Sequence, residues 1–296
     1  MNPVNGDAFR GLCGHAFWHN ASPRENPGFR NGDLVFCKID EVWRLFRALR
    51  RTRRRIVLVT GEGDKPVTAD LWSQKPPHVA AWFGTNMFAE AAEAHPLPLG
   101  LGNADGTVTL SWSEIQEALA NPPKRDRLFY ANFGTASNPV VREPLLNWVS
   151  RPEQSWITRQ PHSAAGGKAG YLHDLLTHHF ILCPPGNGED THRMWEALYC
   201  GAIPVVRHSP VMRTFSSLPI LFVNDFNALT AEFLTGQLGA LQGRLQGMLN
   251  CSYWQGRFRE AQRAAARCGM LSVREWIAGW IEEIRRVQAS RGRMGE

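Results

Sequence analysis

Short apolar runs alternate with longer amphipathic stretches from about residue 34 to residue 235 of the chain. Short apolar runs are typical of buried strands, and apolar positions spaced three and four residues apart are typical of helices. In the first half, the pattern predicts strands at residues 34–37, 56–60, 78–83 and 97–100. It predicts helices at residues 40–50 and 113–120, and Ser111 and Glu114 have the spacing of a capping box at the start of the second helix. This alternation favours parallel sheets with crossover helices, so we expect an α/β fold of two doubly wound lobes.

The second half of the chain repeats the same order more regularly. It predicts strands at residues 128–133, 155–158, 180–183, 203–206 and 220–223, and helices at residues 170–178 and 191–200. A further helix is expected to begin with Asn138 as its N-cap and Pro139 as its first residue, because these residue types suit those positions. Residues 238–287 carry large apolar residues at helical spacing, so we expect amphipathic helices there.

The polar segment at residues 121–126 contains two prolines and separates the two periodic regions. We therefore expect a first Rossmann-like lobe at residues 1–122 and a second at residues 123–270, each long enough to bury its own core. Residues 271–296 are expected to form a C-terminal helix that can cross back to the first lobe.

The composition is that of an ordinary globular protein, with 43% hydrophobic and 20% charged residues. Cys37 and Cys183 end predicted strands, and none of the six cysteines shows CxxC spacing, so we expect buried thiols. Cys13, His15 and His19 have no matching ligand group elsewhere, which argues against a zinc site. The sequence shows neither a secretory signal nor an apolar run of the ~20 residues that a bilayer span needs, and it therefore predicts a cytoplasmic protein.

A formal net charge of +6 and a pI of about 9.2 favour anionic partners, which include phosphorylated small molecules, membranes and nucleic acid. The densest basic run, residues 47–55, lies at the predicted end of a helix, where cations offset the helix dipole. Contact with a membrane face is the second interpretation of this run. Nucleic acid is disfavoured, because no aromatic residues interleave with the arginines to stack on bases.

The most informative stretch, residues 178–206, has the pattern strand, loop, helix, turn, strand. Its loop, CPPGNGED, contains Gly186 and Gly188, which allow the backbone to approach a ligand closely. Asp190 can cap the following helix, and Gly201 is the residue type preferred just after a helix end. Ligands of open parallel sheets bind beyond the carboxyl ends of the strands, so we expect a ligand site at this loop.

Free N–H groups and the positive end of the dipole meet at the start of the helix that opens at Thr191, and both suit a phosphate group. His192 and Arg193 add donors there, and an arginine fork matches phosphate oxygens. Glu196 follows one turn deeper, where its carboxylate can accept both ribose hydroxyls of a nucleotide. The alternative is an exposed Arg193–Glu196 ion pair worth about 0.2 to 0.5 kcal/mol beside a simple glycine turn.

The run PPGNGEDTHRMWEALYCGAIPVV, residues 184–206, resembles the signature of exostosin-like glycosyltransferases and their bacterial relatives. In that family a Gly-Asn-Gly loop precedes Thr-His-Arg, then Trp-Glu-Ala, then Gly-x-Ile-Pro-Val. Fainter similarities follow in the family's order at IVLVTGEGD (56–64), AAWFGTN (80–86), PLGLGN (98–103) and ANFGTASNPVVRE (131–143). The resemblance therefore extends over roughly residues 34–225.

The resemblance implies a GT-B fold, with two Rossmann-like lobes facing a cleft, a nucleotide-sugar donor on the second lobe and the acceptor in the cleft. It also implies transfer without a metal or any cofactor besides the nucleotide-diphosphate sugar itself. By position, the donor-binding residues are Gly186, Asn187, Gly188, Asp190, Thr191, His192, Arg193 and Glu196. Arg142, after the first strand of the second lobe, is a further phosphate candidate, and the alternative for it is a surface helix arginine.

Transfer with inversion needs a carboxylate or a histidine within hydrogen-bond reach of the acceptor hydroxyl. Asp64 and Glu62, just after the predicted strand 56–60, are the candidate catalytic residues. Related chains tend to show Thr-His-Asn-Ser-Asp where this chain has Thr-Gly-Glu-Gly-Asp, so the family's histidine and asparagine are missing here. The alternative is that both acids are solvated turn residues.

These features predict an inverting, metal-independent transferase that moves a hexose or a pentose to a glycan or glycolipid acceptor in polysaccharide or lipopolysaccharide synthesis. Loose peripheral contact with the inner membrane face is also expected, and a nucleic-acid partner is not. Two alternatives stay open. A nucleotide-sugar epimerase of the same fold would need no acceptor groove, and a non-catalytic nucleotide-sugar or glycan-binding module would keep the donor loop without a base.

Overall fold

A computed structural model describes residues 1–17, 28–104, 109–160, 167–241, 244 and 247–292. The chain divides into two compact units, each with a five-stranded parallel sheet. The first lobe consists of Phe9–Leu97 and Trp254–Glu296, and the second lobe consists of Met1–Ala8 and Pro98–Tyr253. The predicted α/β class with two parallel-sheet lobes is confirmed, whereas the doubly wound strand order occurs in the second lobe and not in the first.

The helices and strands have the following bounds within the described residues. The strands are β1 His15–Phe17, β2 Asp33–Lys38, β3 Ile56–Gly61, β4 Val79–Gly84, β5 Ala94–Pro96, β6 Arg127–Ala131, β7 Ile157–Arg159, β8 His178–Leu182, β9 Ile203–Arg207 and β10 Leu221–Val223. The α-helices are α1 Gly6–Leu12, α2 Val42–Leu49, α3 Ala69–Ser73, α4 Trp112–Ala120, α5 Pro139–Val149, α6 Gly167–Thr177, α7 His192–Tyr199, α8 Pro210–Arg213, α9 Ala231–Leu241, α10 Cys251–Arg267 and α11 Val273–Gly292.

The sheet of the first lobe runs in chain order from β1 to β5. Right-handed crossovers that all advance in one direction place their helices on the same face of a sheet. On that face, Leu45 of α2 shares a core cluster with Leu58 of β3 and Trp82 of β4. Side chains alternate along a strand, so Phe83 points to the opposite face, where its ring centroid lies 4.9 Å from that of Phe258 on α10. Helix α10, from the end of the chain, therefore covers the second face of this sheet.

The sheet of the second lobe has the order β10-β9-β8-β6-β7. The chain enters at β6, adds β7 on one side, and then returns to add β8, β9 and β10 on the other side. This is the doubly wound order in which the direction of winding reverses between the first and third strands, here β6 and β8. Ligands of such sheets bind at that reversal, beyond the carboxyl ends of the strands.

Several local predictions are confirmed. Ser111 and Glu114 form a capping box before α4, and Asn138 caps α5 through a bond from the Val141 amide while Pro139 occupies the first helical position. Cys37, Cys183, Cys200 and Cys251 are buried thiols as expected, whereas Cys13 is half-buried and Cys268 is exposed.

His19 lies outside the described residues. Among the described residues, no group of three potential metal ligands occurs. No described helix is both long and apolar enough to cross a bilayer.

The predicted strand at residues 97–100 is wrong, because β5 ends at Pro96. Pro98 has no amide proton to continue a ladder, and the next amide, that of Leu99, donates to Asp190 in the second lobe. The lobe boundary accordingly lies between Leu97 and Pro98 rather than at the segment 121–126, and α4 belongs to the second lobe. Residues 254–270 belong to the first lobe, together with α11.

Candidate functional site

The loop between β8 and α7 lies at the reversal of winding in the second lobe. Gly186 N–H donates to Gly188 O at 3.0 Å, which closes a tight turn with Asn187 exposed at its tip. The N-cap of α7 is Thr191, and its side chain makes no capping bond. The amino end of this eight-residue helix therefore lacks the side-chain cap that most often satisfies its N–H groups.

Arg142 forms hydrogen bonds with the backbone of this loop. Its Nε donates to Pro185 O at 2.8 Å and its Nη2 to Pro184 O at 3.0 Å, while Nη1 donates to the Gly134 carbonyl and the Ser137 hydroxyl. The residue is 7% exposed, so the interpretation as a surface arginine is wrong. Its guanidinium binds carbonyls of the loop, which gives it a positioning role.

Gly186 packs closely against Arg142. A Cβ added there would lie 3.1 Å from Nη2 of Arg142, and its carbonyl accepts a bond from Asn138 Nδ2 at 3.1 Å. The N-cap residue of α5 thus also holds the loop. The sequence indicated Asn138 only as a cap, and the second contact depends on the tertiary structure.

Arg193 lies in the first turn of α7, half-buried, and its Nε is buried with no hydrogen-bond partner among the described residues. Neither Arg193 nor Arg142 forms an ion pair with a carboxylate in the described part of the chain. Burial, and next the nearby charge of Arg193, lower the pKa of Arg142 to about 10. Two cations that repel each other, neither in an ion pair with a described carboxylate, therefore lie near a helix start without a side-chain cap.

Glu196 does not pair with Arg193, so the interpretation as an exposed ion pair is wrong. Its Oε1 accepts from the Leu110 amide at 2.9 Å and its Oε2 from the Tyr171 hydroxyl at 2.8 Å, and the residue is 3% exposed. The carboxylate is thus bound on both oxygens by protein. Tyr171 was not singled out in the sequence, because nothing in its local pattern distinguishes it from other helix residues.

Asp190 and His192 bind the same segment as Glu196. We define the strap as residues 98–104 and 109–111. The Leu99 amide donates to Asp190 Oδ2 at 2.7 Å, and His192 Nδ1 donates to Gly100 O at 2.8 Å. Three of the predicted donor-binding side chains therefore hold the strap against α7.

Asp190 also accepts from the Trp195 indole at 2.7 Å, and it does not occupy the N-cap position expected of it. Its carboxylate points towards the strap and the α7 core, which leaves the cap to Thr191. Burial raises the pKa of Asp190 to about 7, although these hydrogen bonds act in the opposite direction. Burial also raises the pKa of Cys183, beneath the loop, to about 12, so this thiol is protonated at neutral pH.

The two candidate catalytic acids lie in the first lobe, directly after β3. Glu62 has a φ of 57° and a side chain only 6% exposed, with its Oε1 3.5 Å from Nη1 of Arg10. Asp64 is exposed. A second residue with left-handed backbone, Asn86 (φ 49°), follows the neighbouring strand β4. Such backbone is strained in residues other than glycine and concentrates at functional sites, here at one carboxyl edge of the sheet.

The chain is similar to a curated sugar transferase over half its length. It is 26% identical to ribitol-5-phosphate xylosyltransferase 1 of Mus musculus in an alignment of 180 residues that covers 51% of this chain and 38% of the relative. The chain thus matches about two fifths of that protein's length. No known protein-family description matches the chain.

Among solved structures, the chain is similar to AviGT4, a glycosyltransferase involved in avilamycin A biosynthesis, with a TM-score of 0.35, 13% identity and coverage of 86% of this chain and 85% of that one. It is also similar to the GtfA/B complex, with a TM-score of 0.34, 11% identity and coverage of 88% and 58%. The pneumococcal O-GlcNAc transferase GtfA, in complex with UDP and GlcNAc, gives a TM-score of 0.32, 11% identity and the same coverage. At these TM-scores the likeness by itself assigns neither fold nor function.

Proposed function

We propose that this protein is a glycosyltransferase that moves a sugar from a nucleotide-diphosphate donor to a carbohydrate acceptor. The observation that carries the proposal is the pair Arg142 and Arg193, which lack a carboxylate partner among the described residues, beside the uncapped start of α7. A diphosphate bound there would relieve the repulsion between the two cations and satisfy the N–H groups of the helix start. The xylosyltransferase relative supports a sugar as the transferred group.

In this proposal Arg193 contacts the diphosphate, together with backbone groups of residues 186–188 and of Thr191 and His192. Arg142 positions the loop through its hydrogen bonds to the Pro184 and Pro185 carbonyls, and its guanidinium adds a positive charge near the diphosphate. Glu196 contacts the ribose through the lone pairs that Leu110 and Tyr171 leave available, since each carboxylate oxygen can accept more than one hydrogen bond.

The chemistry proposed is a direct displacement with inversion. The acceptor hydroxyl oxygen forms a bond to the anomeric carbon, the bond from that carbon to the diphosphate oxygen breaks, and the hydroxyl proton passes to a carboxylate base. Asp64 is the first choice for the base because it is exposed, whereas Glu62 is buried beside Arg10. The negative charge that develops on the leaving diphosphate is stabilised by Arg193 and the α7 dipole, with no metal.

Donor binding is tested by thermal unfolding with UDP, GDP and their sugars. A ligand at about 100 times its Kd adds about 2.7 kcal/mol of stability, so at least one diphosphate should raise the Tm. Arg193→Ala should abolish this shift, and the matched control Arg151→Ala, which removes an exposed arginine of the same lobe, should keep it. An unchanged shift in Arg193→Ala, or no shift with any nucleoside diphosphate, would refute the donor site.

The ribose contact has a separate test. Wild-type protein should bind 2′,3′-dideoxy-UDP more weakly than UDP, and Glu196→Gln should show a smaller difference between the two ligands. An equal difference in both proteins would remove Glu196 from the ribose site without affecting the role of Arg193.

Turnover separates the proposed enzyme from its alternatives. With the donor found above and a panel of glycan acceptors, Asp64→Asn should keep the thermal shift and lose release of the nucleoside diphosphate, and EDTA should have no effect. An epimerase would convert the nucleotide-sugar without any acceptor, and a binding module would give the shift and no product. Both the polysaccharide pathway and the cytoplasmic location stay predictions.

A further inference from the structure

The first lobe carries an apolar stripe on the exposed side of α11. Val273, Ile277 and Ile281 lie four residues apart, so they share one helix face, and they are 52%, 46% and 46% exposed. Trp280, beside the stripe, is 41% exposed. Singly exposed apolar residues are normal on a surface, whereas a continuous stripe of this kind marks an interaction surface.

The α11 helix is attached to the end of α2 through its tryptophans. The Trp276 and Trp280 indoles both donate to Arg50 O, at 2.9 and 3.3 Å. Phe46 of α2 lines the same small pocket as these two rings. Phe46 also packs edge-to-face against Trp43, which is 47% exposed. The stripe therefore belongs to a larger surface that α2 and α11 form within one lobe.

Arginines border this surface. We define the basic-aromatic face as Trp43, Arg47, Arg51, Val273, Arg274, Ile277, Trp280, Ile281 and Arg285. Its four arginines are exposed, and Arg274 and Arg285 lie on the flank of the apolar stripe. Of the nearby acids, Glu275 is paired with Arg55 at 3.1 Å, and Glu282 lines the same pocket as Arg50. Among the side chains that the structure describes, arginines therefore outnumber acids around the stripe.

We propose that the basic-aromatic face binds the surface of an anionic lipid bilayer, with α11 lying in the interfacial plane. Isoleucines and valine would enter the acyl boundary, the tryptophans would lie at the headgroup level, and the arginines would reach lipid phosphates. Charge complementarity selects this partner. A second copy of the chain would bring arginines against arginines, and nucleic acid offers no apolar layer for the stripe.

The inference is independent of the donor site and is tested by flotation of the 296-residue chain with two kinds of vesicle. Protein should float with phosphatidylcholine vesicles that contain phosphatidylglycerol and remain behind with pure phosphatidylcholine. Ile277→Asn/Ile281→Asn should weaken binding about tenfold or more. The two isoleucine side chains are partly exposed to water, and the variant loses the favourable transfer of their apolar surface from water into the bilayer. Arg274→Gln/Arg285→Gln should weaken it about fivefold for each arginine.

The matched control is Val140→Asn, which removes a side chain that is 86% exposed on α5 of the second lobe and should bind like wild type. Circular dichroism and the Tm establish that each variant is folded. Absence of flotation with anionic vesicles, or flotation that the Ile277/Ile281 variant retains, would overturn the proposal. So would light scattering that shows a dimer dispersed by the same variant, since the occupant would then be a second copy.

Discussion

Arg142 is a charged side chain removed from water, and its guanidinium is kept there by four oxygen atoms of the protein. A planar fork with five donors can hold several carbonyls in fixed directions, which a lysine ammonium cannot do. Because two of these carbonyls, those of Pro184 and Pro185, belong to the candidate donor loop, the residue determines where the loop backbone lies. A buried cation without a carboxylate is costly, and this cost favours an anion nearby.

Replacement of Arg142 by leucine should therefore lower the free energy of unfolding by about 3 kcal/mol, because buried carbonyls would lose their donors. Arg142→Lys should recover only a minor part of this loss. Urea unfolding measures both changes, with Arg151→Leu on the exposed surface as the control. An Arg142→Leu variant within about 0.5 kcal/mol of wild type would show that the loop does not depend on this residue.

Asp190 gives the second lobe a stability that depends on pH. Its pKa in the folded protein is about 7, above the ordinary 3.8. The folded state therefore holds a proton that the unfolded state releases, and the stabilising contribution of this proton is lost as pH rises from about 4 to about 7.

His78 has the opposite effect on stability. Burial lowers its pKa to about 4, so the free energy of unfolding increases as pH rises from about 4 towards 6.5.

Asp190→Asn removes the first effect and leaves the second unchanged. The stability of wild type relative to the variant should therefore fall between pH 4 and pH 7, by at most about 4 kcal/mol. Urea unfolding of both proteins across this range measures the difference. A difference that stays constant with pH would mean that Asp190 is ionised throughout in the folded protein.

At the scale of elements, α7 has two partners. Its amino end faces the candidate donor loop, and its side chains hold the strap, whose Leu110 amide binds Glu196. Tyr171 of α6 completes this contact from the other side of the carboxylate. A change in the strap contacts would therefore affect α7, which is the helix that the donor is proposed to contact.

The coupling of Tyr171 and Glu196 can be measured by a double-mutant cycle. Tyr171→Phe alone should cost about 1 to 3 kcal/mol, because it leaves one carboxylate oxygen without its donor. In a Glu196→Ala background the same change should cost much less, because the hydroxyl has no acceptor there. Equal costs in both backgrounds would contradict the contact. Hydrogen exchange at the Leu110 amide should accelerate in Glu196→Ala.

At the scale of the whole molecule, the sequence was sufficient for what depends on local pattern. The strands β3 and β8, the capping box at Ser111 and the cap at Asn138 all follow from residues a few positions apart. The roles of Arg142, Asp190 and Glu196 could not be predicted in the same way, because each has a partner that lies 42 to 91 positions away in the sequence. The predicted lobe boundaries differ from the observed ones for the same reason. A proline-rich segment indicates a turn, but it does not indicate which sheet the neighbouring helix covers.

Truncation distinguishes the observed lobes from the boundaries expected from the sequence. A chain that ends at Tyr253 loses Trp254 and Phe258, both 1% exposed, and with them the cover over Phe83 on the second face of the first sheet. Each such ring contributes about 2 to 3 kcal/mol, a large fraction of the stability of a lobe. The first lobe should unfold, and the second, which keeps all five of its strands, should stay folded.

Limited proteolysis with mass spectrometry measures the outcome. In the chain ending at Tyr253, cleavage should concentrate in residues 9–97 while residues 98–253 stay protected, and UDP or GDP should still increase that protection. A chain ending at Ser272 is the control, because it keeps α10 and loses only α11, on which the described side chains of Val273, Ile277 and Ile281 are exposed. If residues 254–270 instead belonged to the second lobe, the shorter chain would lose nucleotide-dependent protection first, and the first lobe would resist cleavage in both chains.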